Sequence, residues 1–292
     1  MEKKLTIYLT SLKEKYNYND KLIEALRKII PALIKLYGVD KSSLIFDAIY
    51  NCEIKFKDKN EDRSQNSAAC YGKGLILEDD KITEINQIYV YTADFDENII
   101  FTNLTHEICH LIKGYNQSYK KGNKIITKCG LIKQHYIITE NNIDFIEDEN
   151  VEIEEAINCY DTTQVLSTIY EKPTFDDSYN ATCDSIEKLI SDNKIFQAIR
   201  ISQFNNNDTF YKLIGKENYQ LIDTYLQKIN YFCLLRFRKD ISLDDRKAAE
   251  IVVMKAVMEA NEAKSNIETL CREIATNVTS KKKIVYVKTK KH

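Results

Sequence analysis

Asp94-Phe95-Asp96-Glu97-Asn98-Ile99-Ile100-Phe101-Thr102-Asn103-Leu104-Thr105-His106-Glu107-Ile108-Cys109-His110-Leu111-Ile112-Lys113-Gly114 is the stretch on which the reading of this chain turns. Ile99, Ile100, Leu104, Ile108, Leu111 and Ile112 return every three or four positions, the period of one helix face. Asp94 or Asp96 can cap the first free backbone N–H groups, and Gly114 stands where a helix stop is expected. On that helix His106 and His110 lie one turn apart, about 40° from each other around the axis, so both imidazoles can reach a single ion. Zinc takes such nitrogen ligands in tetrahedral geometry. Glu107, next to the first histidine, points to the side where a water activated by the ion would sit, and can take its proton. The plain alternative is an ordinary helix that matches H-E-x-x-H by accident. With four His in the whole chain such a match is rare, so a metal site is the better reading.

Working outward, the segment before this helix changes character twice. Asn19-Asp20 precedes Leu22, Ile23, Leu26, Ile29, Ile30, Leu33 and Ile34, a helical pattern that ends before Gly38 and should bend at Pro31. Residues 1–38 are therefore expected as a helical entry. Leu44-Ile45-Phe46, Cys52-Glu53-Ile54-Lys55-Phe56, Gly74-Leu75-Ile76-Leu77 and Gln87-Ile88-Tyr89-Val90-Tyr91 read as strands of one small sheet. Residues 87–91, just ahead of the histidine helix, are expected at the sheet edge, where they could hold an extended peptide through main-chain hydrogen bonds.

Behind the helix, residues 125–146 suggest a second hairpin, with Ile125-Ile126, Leu131-Ile132 and Tyr136-Ile137-Ile138 as its apolar parts. A further helix starts near Glu152 and carries Glu154 and Glu155. Residues 186–201, 209–235 and 244–278 suit helices with apolar stripes. Seven Gly and two Pro in 292 residues argue against an all-β sandwich or barrel. The expectation is α+β with helix in excess: a helical entry (1–38), a catalytic core (39–165), a helical lobe (166–280) and a basic tail (281–292).

A catalytic zinc needs a third protein ligand. No His follows His110 at the short spacing of the extended motif H-E-x-x-H-x-x-G-x-x-H, so a carboxylate from a later helix is the better candidate. Periodicity does not choose among Glu152, Glu154 and Glu155, because Ile153, Ala156, Ile157 and Tyr160 form the apolar face and Glu155 lies roughly opposite it. Here Ile153-Glu154-Glu155-Ala156-Ile157-Asn158 resembles the second helix of the gluzincin metallopeptidases, in which a Glu in a context like N-E-[GA]-[LIT]-[TN] completes the site. The resemblance extends in outline over about residues 40–235, with Gly130-Leu131 as a hairpin feature, but only residues 106–110 and 154–158 are specific. It implies a zincin-like fold, one Zn2+ per chain held by His106, His110 and Glu155, and hydrolysis of a peptide or protein substrate with Glu107 as general base. Cys159 departs from the pattern, since many such sequences have a second acidic residue there. The partner such a residue would give a ligating His is then either missing or supplied by Asp161. His135, Tyr136 and Tyr160 could each donate to an oxyanion, and none is preferred.

Two other readings compete. Antirepressor-type peptidases of mobile elements combine H-E-x-x-H with a later acidic residue, usually over a shorter gap than the 45 positions from His110 to Glu155. A zinc-binding interaction protein is the other, although such a protein has no need of Glu107. Eight scattered cysteines without a C-x-x-C pair read as reduced thiols of a cytoplasmic protein. Lys3 and Lys4 precede only a short apolar run, which is no signal peptide, and no run approaches the ~20 apolar residues of a membrane span. A net charge of −2 gives no support to nucleic-acid binding. Residues 134–171 hold ten Asp or Glu and no Lys or Arg, whereas the last twelve residues carry six Lys. An exposed acidic hairpin and a solvated tail account for both.

Overall fold

Leu5, Leu9 and Leu12 recur at helical spacing and are buried along α1 (Glu2–Tyr16) in a computed structural model that describes residues 2–57, 69–92, 97–140, 142–171, 180–205, 208–237 and 246–280. In α2 (Asp20–Tyr37) the Asn19 side chain accepts the Leu22 N–H at 2.9 Å, and the expected apolar stripe is buried. Pro31 lies within the helix, which continues to Gly38; that glycine, at φ 102°, donates its N–H to the Ile34 carbonyl. After a 3-10 turn (Val39–Lys41), α3 (Ser42–Tyr50) replaces the strand expected at Leu44-Ile45-Phe46. Ile45, Ala48 and Ile49, at i, i+3 and i+4, form its buried side. The ring of Phe46 meets Tyr8 edge-on at 4.7 Å. A three-residue apolar run carries no period of its own, and the residues after it settle the matter.

The first sheet contains β1 (Cys52–Lys57), β2 (Ala69–Glu78) and β3 (Lys81–Tyr91) in the order β1-β3-β2. β3 runs parallel to β1 and antiparallel to β2. Glu78 pairs with Lys81 across Asp79-Asp80, both at positive φ, a two-residue turn whose twist matches that of the strands it joins. Residues 87–91 are thus central, not an edge as expected, because β1 and β2 flank them; among the described residues β2 is an outer strand.

α4 (Glu97–Gly114) is the helix predicted from the opening stretch. The caps proposed for it, Asp94 and Asp96, lie outside the described residues. Beyond it the expected hairpin is a four-stranded sheet, β4 (Ser118–Lys121), β5 (Lys124–Cys129), β6 (Ile132–Ile138) and β7 (Ile143–Glu149), in that order. β4 is Ser-Tyr-Lys-Lys, with no apolar alternation by which to recognise it. β7 is exposed along nearly its whole length and carries part of the acidic run.

The helices that follow are α5 (Val151–Ile169), α6 (Asn180–Ser185), α7 (Glu187–Ile190), α8 (Asn193–Phe204), α9 (Thr209–Ile214), α10 (Lys216–Phe237) and α11 (Arg246–Thr279). The pattern over 186–201 is two helices, divided where the Asp192 side chain accepts the N–H groups of Lys194 and Ile195, each at 3.0 Å. The pattern over 209–235 divides at Gly215, whose φ of 87° suits glycine best. The fold is α+β and chiefly helical.

The chain forms two compact units. One contains Met1–Cys129, Lys133–Glu147 and Tyr160–Asp176, and its core gathers Leu26, Ile29, Leu33, Ile45, Ile88, Ile108 and Leu111. The other contains Gly130–Ile132, Asp148–Cys159 and Asp177–His292, with Ile195, Phe210, Ile222, Leu226 and Ile267 buried inside it. The Lys-rich segment 281–292 lies outside the described residues. No helix among those described is long and apolar enough to cross a membrane.

Candidate metal centre

α4 is buried along most of its second half, and the two histidines belong to its covered side, His106 at 8% exposure and His110 at 5%. Their Nε2 atoms face each other at 3.2 Å, with the ring planes inclined by 67°. Two nitrogen ligands at about 2.05 Å from a tetrahedral ion are about 3.3 Å apart. The observed spacing therefore fits a shared ion. An N–H···N bond between two imidazoles has the same length but does not by itself gather a carboxylate. Here one is gathered: ligand atoms of His106, His110 and Glu155 all lie within 4.8 Å of one another, a group that could hold a metal ion.

Glu107 lies beside this group in sequence and is only partly buried. Its Oε2 accepts the backbone N–H of Tyr71 on β2 at 2.7 Å. A main-chain donor thus fixes the carboxylate on an outer strand of the first sheet. The Tyr71 hydroxyl in turn donates to Asn86 Oδ1 at 2.6 Å.

The three glutamates at the start of α5, which periodicity left undecided, have different surroundings. Glu154 is fully buried and accepts the Leu131 N–H at 2.8 Å and the Gln203 side-chain amide at 3.0 and 3.1 Å. Gly130, at φ 63°, lies directly under its carboxylate, and any Cβ there would collide with it. The Gly-Leu pair of the hairpin therefore belongs to the seat of Glu154. Glu152 accepts the Asn230 amide at 3.1 Å. Burial pushes its carboxyl up to about 7, the Asn230 bond opposes this, and the charges of Glu155 and Asp223 add to it. Glu155 is the one of the three grouped with the histidines.

Asp161, two turns further along α5, accepts from the Tyr37 hydroxyl at 3.0 Å and pairs with Lys113 at 3.4 Å. Both charged side chains are completely buried. The pair ties the end of α4 to the middle of α5, the two helices that carry the grouped residues. Cys109 lies within the field of that pair, and burial first, then the Asp161 charge, pushes its thiol up to about 11. It is buried and takes part in no disulfide, as is true of Cys52, Cys159 and Cys271. At the other edge of α4, Lys73 donates to the Gly114 carbonyl and to Glu84, placing a cation at the negative end of the helix dipole.

Sequence reasoning missed Tyr71 and Cys129, whose Sγ lies 3.5 Å from His110 Nδ1. A backbone N–H leaves no mark in sequence, and a single Cys at the end of a short strand carries no spacing that links it to His110. No family model matches the chain, and no curated protein or solved structure matches it either.

Proposed function

We propose that this protein is a zinc-dependent peptidase, with one zinc per chain held by His106, His110 and Glu155. The observation that carries the reading is the gathering of these three side chains, with Glu107 next to His106 in the sequence. Two imidazoles and a carboxylate are a donor set typical of catalytic zinc, since they leave a fourth position open. Bound there, zinc supplies the Lewis acidity that polarises a scissile carbonyl and lowers the pKa of water. Glu107 takes the proton of the attacking water and returns it to the leaving amine. The Tyr71 N–H holds the carboxylate in one orientation for both transfers.

A peptide substrate is favoured over other hydrolysable groups because an outer strand, β2, reaches Glu107 through its own backbone. An extended peptide laid along such a strand pairs with its main chain, and the pairing brings scissile bonds past the carboxylate. This role falls to β2, not to residues 87–91.

The test is turnover of a quenched-fluorescence peptide library by zinc-loaded protein, with Glu107→Gln beside wild type. Cleavage that disappears in Glu107→Gln while zinc remains bound supports a peptidase. Zinc bound stoichiometrically by both, with no cleavage of any peptide by either, would leave a metal-binding protein and refute the enzyme.

A further inference from the structure

The Nε2 atoms of His106 and His110 face each other, so Nδ1 of His110 is directed elsewhere. It meets Cys129 Sγ at 3.5 Å, and the same sulfur lies 3.3 Å from the His110 carbonyl oxygen. One thiol can make both contacts at once. Its S–H donates to the carbonyl, and its sulfur accepts the N–H of Nδ1. That arrangement places the imidazole proton on Nδ1 and leaves the Nε2 lone pair bare, which is the tautomer a metal ligand needs.

The surroundings hold Cys129 in place from several directions. It is the last residue of β5, followed by Gly130 at φ 63°. A Cβ added at Gly114, the last residue of α4, would crowd the Tyr71 side chain at 3.1 and 3.2 Å and meet the Cys129 Cβ at 3.4 Å, an ordinary contact, so the end of β5 lies directly against the end of the helix. Lys73, which donates to the Gly114 carbonyl, also donates to the carbonyl of Lys128 at 3.4 Å. The end of α4 and the end of β5 are thus joined by one ammonium group, and the thiol is delivered to the imidazole by both.

We infer that Cys129 is a positioning residue for the metal centre, orienting His110 and fixing its tautomer through the sulfur on Nδ1. The inference rests on the proposed zinc site and would add to it a ligand support made from a thiol, where carboxylates and carbonyls usually serve. Alkylation of this partly exposed thiol would then loosen the metal without touching any ligand.

Zinc affinity is measured by competition with a chromogenic chelator for wild type, Cys129→Ala, Cys129→Ser and His110→Ala, with the cobalt-substituted absorption spectrum recorded for each. A ten- to hundred-fold loss of affinity in Cys129→Ala is expected, in the range found for outer-sphere partners of ligating histidines. Cys129→Ser should recover most of it, because a hydroxyl can make the same two hydrogen bonds. The cobalt bands should shift in the Ala variant and return in the Ser variant, which a packing defect alone would not produce. Equal affinity and identical spectra for wild type and Cys129→Ala, while His110→Ala loses the metal, overturn the inference and leave the zinc site standing. A wild type that takes up no zinc removes both.

Discussion

Glu107 shares a helix with both histidines, yet its carboxylate, the proposed base, is held by a partner from another element. The Tyr71 N–H, at 2.7 Å, holds one oxygen of the carboxylate. Replacing Glu107 with Gln keeps the shape and this hydrogen bond but removes the proposed base, so kcat should fall by about 10²–10⁴-fold with metal content unchanged. Steady-state kinetics beside elemental analysis would check both halves of that statement. Gly130 provides a second test at a single position. Any side chain there is strained by its φ of 63° and driven into the Glu154 carboxylate. Gly130→Ala should cost about 1–3 kcal/mol in urea unfolding. A variant as stable as wild type would mean that the seat of Glu154 is looser than described.

Between elements, the Lys113–Asp161 pair is a demanding contact, since both charges are wholly buried. Removing one partner strands the other charge in the interior, and Lys113→Met should lose about 3–5 kcal/mol. The double substitution Lys113→Met with Asp161→Leu should recover most of that, because a buried pair adds little over well-packed apolar groups. Denaturant curves for the two variants give a direct comparison.

The start of α5 predicts a pH dependence. The Glu152 carboxyl is raised from 4.5 to about 7 in the folded protein, chiefly by burial. Between those values the native state binds more proton than the unfolded chain, so stability must fall as pH rises. The contribution is complete below about 4.5 and is lost as pH passes through about 7. Metal-free protein should therefore unfold at lower urea at pH 8 than at pH 5, and Glu152→Gln should flatten the difference.

Across the whole molecule, the parts that were legible in the sequence are those whose signal is local. The histidine helix announced itself by the period of Ile99, Leu104, Ile108 and Leu111 and by the stop at Gly114, and α4 covers that span. The misread parts depended on distant partners. Leu44-Ile45-Phe46 is apolar in either a helix or a strand, and its partners, among them Tyr8 thirty-eight positions away, are invisible in the run itself. The central place of β3 follows from strand order, which no single strand encodes. The same holds at the site. His106 and His110 could be paired by helix geometry alone, whereas periodicity left Glu155 level with Glu152 and Glu154; only the resemblance of residues 154–158 pointed to it, because Leu131, Gln203 and Asn230, the partners that occupy the other two, are distant in the sequence.

Metal content of the purified protein, measured by elemental analysis for wild type, His110→Ala and Glu155→Ala, decides whether His106, His110 and Glu155 hold zinc. One zinc is expected per wild-type chain, with zinc lost or markedly weakened in both variants. A wild type that stays metal-free after reconstitution, or a Glu155→Ala variant that keeps full stoichiometry and affinity, would contradict that expectation.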